Sequence, residues 1–142
     1  MYQSGPTRAS FQVWVFQMTK TVLVVDDDPT QRRLIQAVLE REGFAVAHAE
    51  NGDAAIARLQ SGAPTDIVLL DLVMPGMSGQ DTLKEMRARN FAQPVIVLTA
   101  TGGIDTVVQA HVDDEWKGRV FVIYDGLFNA AIVLAAVIAA VV

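Results

Sequence analysis

Short apolar runs alternate with amphipathic stretches along most of this 142-residue chain. Helices are predicted over residues 30–42, 53–60, 80–89, 104 to about 112 and 127–142. Strands that alternate with helices at this spacing form successive βαβ units, so the pattern predicts a parallel five-stranded sheet with helices on both faces. The predicted strands are Val22 to Val25, Phe44 to Ala49, Asp66 to Leu70, VIVLTA after Pro94, and Val120 to Tyr124.

The first predicted helix shows how the core is expected to form. Asp28-Pro29-Thr30 is typical of a helix start, and Gly43 stands where a helix-terminating glycine belongs. Its apolar side chains recur at helical spacing and are expected to face the sheet as one stripe. That stripe comprises Leu34, Ile35, Val38 and Leu39.

Both ends of the chain depart from the regular pattern. Residues 1–17 precede the tidy start Met18-Thr19-Lys20 and are interpreted as an N-terminal extension, with a tag or leader, an upstream start and an extra strand as alternatives. The final segment, 127–142, has Asn129 as its one polar residue and lacks the polar face of a surface helix. It is shorter than the roughly 20 apolar residues that cross a bilayer. We therefore expect no membrane span, and a buried helix that could join two copies in a homodimer.

Composition limits the classes of function. The formal net charge of -5 argues against a nucleic-acid-binding surface, which needs clustered basic residues. The absence of cysteine excludes disulfides, thiolate catalysis and zinc–thiolate sites. The polar opening MYQSGPTRAS is not a secretory signal, so a cytoplasmic protein is expected.

Acidic residues follow two of the predicted buried strands. Asp26 and Asp27 end the VLVVDDD stretch, and Asp71 ends IVLLD. Because the carboxyl ends of parallel strands share one sheet edge, these acids are expected to meet there. Carboxylates without histidine or cysteine suit a hard cation, so Mg²⁺ is the expected metal. A carboxylate beside Mg²⁺ can also attack phosphorus, and Thr99, which ends the fourth strand, can donate to a phosphoryl oxygen.

Three motifs, VLVVDDD, DLVMPGMSG and VIVLTA, in this order and spacing resemble the receiver domain of two-component response regulators, over about Lys20 to Ala110. The resemblance implies a flavodoxin-like (βα)5 fold and a phosphoryl group accepted on Asp71 from a histidine kinase or phosphotransfer protein. It further implies that Asp27, Asp71 and the backbone carbonyl of Val73 bind Mg²⁺, that Asp26 helps through water, and that Thr99 is the switch hydroxyl. LTATGGIDTVVQA also resembles, more weakly, receivers of sigma-54-dependent regulators.

The chain departs from that family after about Ala110. Receivers carry a lysine followed by proline at the end of the fifth strand, whereas this strand ends in Tyr124-Asp125-Gly126, and Lys117 precedes it. The domain is therefore interpreted as 18–142 with an atypical part from about 111. Losing this lysine removes one contact that distinguishes the phosphorylated state, which weakens the coupling of phosphate to conformational change.

Three functions compete on this basis. The favoured one is a phosphoacceptor signalling module rather than an enzyme, with self-catalysed phosphorylation and dephosphorylation open to it. The second is a phosphohydrolase of the haloacid-dehalogenase kind, a class that carries the motif DxDx[TV] at its nucleophile. Here Asp71 is followed by Leu72-Val73-Met74, with no second acid two residues on, which argues against this class. The third is a pseudo-receiver, a constitutive interaction or dimerisation module whose switch is disabled by the missing lysine.

Overall fold

The computed structural model describes residues 19–99 and 120–124, the backbone alone at residues 99 and 120–124. The predicted helices beyond residue 99 and the N-terminal extension lie outside the described residues. The elements are β1 (Thr21–Val25), α1 (Pro29–Arg41), β2 (Ala45–Ala49), α2 (Gly52–Gln60), β3 (Ile67–Asp71), α3 (Gly79–Ala88), β4 (Val95–Thr99) and β5 (Val120–Tyr124).

All strand pairs in the described sheet are parallel, in the order β2-β1-β3-β4-β5. Val25 lies beside Leu70 and Asp71 beside Leu98, so β1, β3 and β4 end at the same edge. The chain runs from β1 outward to β2 and then returns to the other side of β1 with β3. The order therefore reverses between β1 and β3, which is where open α/β sheets form a crevice. A parallel sheet with helices is confirmed, while the complete (βα)5 repeat stays a prediction.

The sheet is covered on both faces by described helices. On one face α1 packs Ile35 and Leu39 against residues of β1, β3 and β4. On the other face α2 and α3 contribute Ile56, Leu59 and Met86 to a larger cluster. The inner strands are closed to water on both sides, since Val22 to Val25 of β1 are at most 1% exposed. Burial of each such side chain contributes about 1.5–3 kcal/mol to the stability of the fold. The strands whose ends carry the acids are therefore held firmly in the core.

Two expectations about side-chain placement were wrong in detail. Leu34 was expected on the buried stripe of α1, but it is 55% exposed, whereas Ile35 and Leu39 of the same stripe are 1% exposed and Val38 is half-buried. The third strand begins at Ile67 rather than Asp66 and includes Asp71. Asp66 stands just before the strand, where its carboxylate accepts a hydrogen bond from the backbone N–H of Thr21 at 2.8 Å.

Each described helix begins with a side-chain cap. Asp28, Asn51 and Ser78 accept hydrogen bonds from the backbone N–H groups of Thr30, Ala54 and Asp81. Such caps satisfy donors that the first helical turn leaves unpaired. The interpretation of Asp28 as a helix cap is therefore confirmed, which separates its role from that of its two acidic neighbours. No described helix has the length and apolar content needed to cross a membrane.

Candidate metal centre

Three carboxylates converge at the point where the strand order reverses. Asp26 directly follows β1, Asp27 comes next, and Asp71 is the last residue of the neighbouring strand β3. One carboxylate oxygen from each lies within 4.8 Å of the others. The structure thus brings together the acids that the sequence singled out, and their spacing is short enough for a single cation to contact all three.

Asp26 is the most deeply held member of the set, at 2% exposed. Its Oδ1 accepts a hydrogen bond from the backbone N–H of Asp28 at 2.8 Å. Its own backbone N–H donates to the carbonyl of Ala49, and its carbonyl accepts from Nη1 of Arg32 at 2.5 Å. Oδ2, in contrast, is buried without a hydrogen-bond partner. A buried carboxylate oxygen without a partner is costly, and a cation would satisfy it.

Asp71 is half-buried, and Oδ1 of its carboxylate accepts a hydrogen bond from the backbone N–H of Val73 at 3.1 Å. This bond holds the start of the following loop against the acid. Val73 itself is 70% exposed, so the loop beside Asp71 is open to solvent. The arrangement leaves Asp71 reachable by an incoming group while Asp26 stays enclosed.

The electrostatics of the cluster disfavour three negative charges without a counterion. Burial, and then the charges of Asp71, Asp27 and Asp28, raise the pKa of Asp26 to about 6 against the opposing hydrogen bond from Asp28. Burial also raises the pKa of Asp71, with the charge of Asp27 adding to it and the amides of Val73 and Leu72 opposing it. A bound cation would reverse both effects by favouring the ionised acids.

The donor set fits a hard divalent ion. It contains carboxylate oxygens, a buried one of them unpartnered, and no histidine or cysteine among the gathered groups. Mg²⁺ binds through one or two carboxylates and retains several waters, so a half-open site with an exposed rim suits it. Zinc and copper prefer nitrogen or sulfur ligands that this cluster lacks.

The remaining predicted residues are placed only by their backbone. Thr99 is the last residue of β4, one position beyond Leu98, which is paired with Asp71. Its Cα therefore lies at the same sheet edge as the acids. Lys117 and Asp125, on which the expectation of a missing lysine rests, lie outside the described residues.

One residue of the site, Arg32, escaped the sequence reasoning, whereas Gly76 and Gly79 are expected from the sequence to serve the loop and the entry of α3 and so to position Asp71. Arg32 holds the backbone carbonyl of Asp26 from the second turn of α1. Gly79 packs so closely on β3 that a Cβ built there would lie 2.2 Å from the carbonyl oxygen of Asp71. An arginine after a helix cap is common and gave no signal by itself, and the close approach of Gly79 to the backbone of Asp71 adds a contact to its expected role.

Comparison with known proteins agrees with this geometry. A family model described as the response regulator receiver domain matches residues 22–116. The transcriptional regulatory protein ResD of Bacillus subtilis is 48% identical over 81 residues, which cover 57% of this chain and 33% of ResD. The regulatory protein AtoC of Escherichia coli is 38% identical over 89 residues, covering 63% of this chain and 19% of AtoC. The chain thus spans a third or less of the length of these two relatives.

Solved structures show the same fold. The response regulator TrrA of Thermotoga maritima, in complex with Mg²⁺-BeF, superposes with a TM-score of 0.71 at 31% identity, over 86% of this chain and 99% of TrrA. The chemotaxis protein CheY4 of Vibrio cholerae superposes with a TM-score of 0.72 at 25% identity, over 86% of this chain and 98% of CheY4.

Proposed function

This chain belongs to the family of response regulator receiver domains of two-component systems, and from that premise we propose that it accepts a phosphoryl group on Asp71. The single observation that carries this proposal is the convergence of Asp26, Asp27 and Asp71, one carboxylate oxygen of each within 4.8 Å of the others, with Asp71 half-buried at the end of β3 beside a solvent-exposed loop. The phosphodonor is a phosphohistidine of a histidine kinase or phosphotransfer protein.

In the proposed reaction an oxygen of the Asp71 carboxylate attacks the phosphorus of the donor. An oxygen–phosphorus bond forms, the phosphorus–nitrogen bond of the phosphohistidine breaks, and the departing imidazole nitrogen takes up a proton. The product is an acyl phosphate on Asp71 and a free histidine on the donor. The backbone N–H of Val73 orients the attacking carboxylate through its hydrogen bond to Oδ1. The hydroxyl of Thr99 is proposed to donate to a phosphoryl oxygen afterwards.

Asp26, Asp27, Asp71 and the backbone carbonyl of Val73 are the residues proposed to hold Mg²⁺. When bound, the ion neutralises the acids and the charge on the phosphoryl oxygens, which is the main requirement of phosphoryl transfer. Asp26 contributes an acceptor that is already fixed by the amide of Asp28, so little reorganisation is needed on binding. The chain is proposed to be a phosphoacceptor that promotes its own phosphorylation and dephosphorylation, and not an enzyme acting on other substrates.

The pseudo-receiver alternative gains no support from the comparisons. A relative, MtrA of Mycolicibacterium smegmatis, is named a DNA-binding response regulator, and this chain covers 40% of its length. The prediction that the acidic chain does not bind nucleic acid therefore concerns the receiver domain alone. Signal, output and partners of a whole protein containing this domain are proposals of the same kind.

The proposal is tested by incubating the chain with radiolabelled acetyl phosphate and Mg²⁺. We expect stable label in the wild type, none in Asp71→Ala, and normal labelling in the matched control Asp53→Asn, which removes an exposed acid of α2 outside the cluster. Magnesium binding without any labelling would favour the pseudo-receiver. Continuous hydrolysis of a phosphomonoester would favour the hydrolase.

A further inference from the structure

Gly79 lies directly against the backbone of the proposed phosphoacceptor. It is buried at the first position of α3, and its N–H donates to the carbonyl oxygen of Leu72 at 3.1 Å. A Cβ at this position would lie 2.2 Å from the carbonyl oxygen of Asp71 and 2.6 Å from the Cα of Leu72. Real Cβ contacts do not fall below 3.0 Å, so an added methyl group would force the helix or the strand end to move.

Conformational freedom does not explain this glycine. The described glycines with positive φ are Gly43, Gly62 and Gly76, and Gly79 is not among them. At the start of a helix with ordinary dihedral angles, alanine would be the better helix former. The sequence therefore retains a residue that weakens α3, and the contact with β3 is the feature of the structure that requires it.

The atoms that Gly79 approaches belong to the backbone and cannot rotate away. Gly52 offers a contrast, because a Cβ there would meet the side chains of Thr82 and Met77. A side chain can change rotamer, whereas the carbonyl of Asp71 is part of the strand. Relief at Gly79 would thus separate the start of α3 from the end of β3 by a large part of an ångström, and the Asp71 carboxylate, which must meet Asp26 and Asp27, would lose the support that fixes its backbone.

We propose that Gly79 is a positioning residue for phosphoryl transfer: its lack of a side chain allows the start of α3 to fix the backbone of Asp71 beside the other two acids. This inference rests on the proposed function. If it holds, replacing Gly79 weakens metal binding and slows labelling even in protein that remains folded.

The test compares Gly79→Ala with the matched control Gly43→Ala. Gly43 has φ +90 and open space around its Cβ position, so alanine there strains the backbone at the opposite end of α1 without touching the acids. For both variants and the wild type we would measure urea unfolding, the Mg²⁺ dissociation constant by calorimetry, and the initial rate of labelling by acetyl phosphate at saturating Mg²⁺.

In Gly79→Ala we expect the labelling rate to fall about 100-fold, as misplacement by an ångström does. Mg²⁺ binding should weaken about tenfold or more, as when outer groups that orient metal ligands are lost. Gly43→Ala should keep wild-type values for both while losing stability. The inference is overturned if Gly79→Ala, where folded, binds Mg²⁺ and accepts label as the wild type does. A wild type that binds Mg²⁺ without labelling would refute the proposed function. The Mg²⁺ dissociation constants of the wild type and Gly79→Ala would still test the role of Gly79.

A measurement on the unmodified chain covers the case in which Gly79→Ala does not fold. Amide exchange followed by nuclear magnetic resonance, without ligand and with Mg²⁺ and beryllofluoride, reports directly on the hydrogen bond from Gly79 to Leu72. We expect ligand binding to shift the Gly79 resonance and slow its exchange, and to leave the Gly43 amide unchanged. An unaffected Gly79 amide alongside shifted resonances of Asp71 and Val73 would overturn the inference.

Discussion

Replacing Asp26 by asparagine separates the cost of its charge from the benefit of its metal contacts. The amide keeps an oxygen that can accept from the Asp28 N–H, which Oδ1 does at 2.8 Å in the wild type. It removes the negative charge that burial and three neighbouring acids oppose. In the absence of metal, the variant should therefore be more stable than the wild type at neutral pH.

The expected gain follows from the pKa of Asp26. This pKa is raised from 3.8 to about 6 in the folded protein. A difference of roughly two pH units, at about 1.4 kcal/mol each, gives at most about 3 kcal/mol. Because the folded state holds this proton more tightly than the unfolded chain, the contribution of Asp26 to the stability of the wild type is most favourable below about pH 4. This contribution to the free energy of unfolding falls as the pH rises toward about 6, and Asp26→Asn should lack the fall.

Magnesium should reverse the order of stability. A ligand present at 100 times its dissociation constant stabilises the folded state by about 2.7 kcal/mol, and this gain should be much smaller without the Asp26 carboxylate. The assay is urea unfolding followed by circular dichroism, at several pH values, with a chelator and with excess Mg²⁺. The reasoning is refuted if Asp26→Asn is less stable than the wild type in chelator, or if Mg²⁺ stabilises both proteins equally.

Two further predictions concern the scaffold that carries the site. Leu34→Ala should change the free energy of unfolding by less than about 0.5 kcal/mol, because this side chain faces water. Ile35→Ala should lower the free energy of unfolding by about 2–5 kcal/mol, because its side chain is buried. Equal losses in urea unfolding would contradict the orientation of α1. Ser78→Ala removes the hydroxyl that accepts from the Asp81 N–H at 3.1 Å and should lower the free energy of unfolding by about 1 kcal/mol. Ser78→Asp is the capping control and should retain most of the stability. An unchanged unfolding midpoint in Ser78→Ala would argue against the cap.

The sequence was sufficient to predict the parallel sheet and the convergence of the acids. Both follow from local signals, because short β-branched runs such as Val22 to Val25 are typical of strands covered on two faces, and parallel strands end at one edge. The hydrogen bond between the Asp66 carboxylate and the N–H of Thr21 was not predictable, since it joins residues that are distant in the sequence. The exposure of Leu34 likewise depends on the angle at which α1 meets the sheet.

Contacts through the backbone were the least accessible to sequence reasoning. The hold of Arg32 on the Asp26 carbonyl and the approach of Gly79 to Asp71 depend on where two elements meet in space. The residue type alone identifies a carboxylate as a candidate ligand. It does not reveal that a glycine is needed because a neighbouring backbone leaves no room for a Cβ. The glycine that begins α3 was therefore predictable as a helix entry that helps to position Asp71, and its direct contact with the Asp71 carbonyl was not.

The central claim is that the carboxylate of Asp71, which lies beside Asp26 and Asp27, accepts the phosphoryl group. Its most direct test is to label the wild-type chain with acetyl phosphate and Mg²⁺, convert the acyl phosphate with borohydride, and locate the modified residue by peptide mass spectrometry. We predict modification at Asp71, abolished by a chelator. Modification at another residue, or at none while Mg²⁺ is bound, would contradict the account.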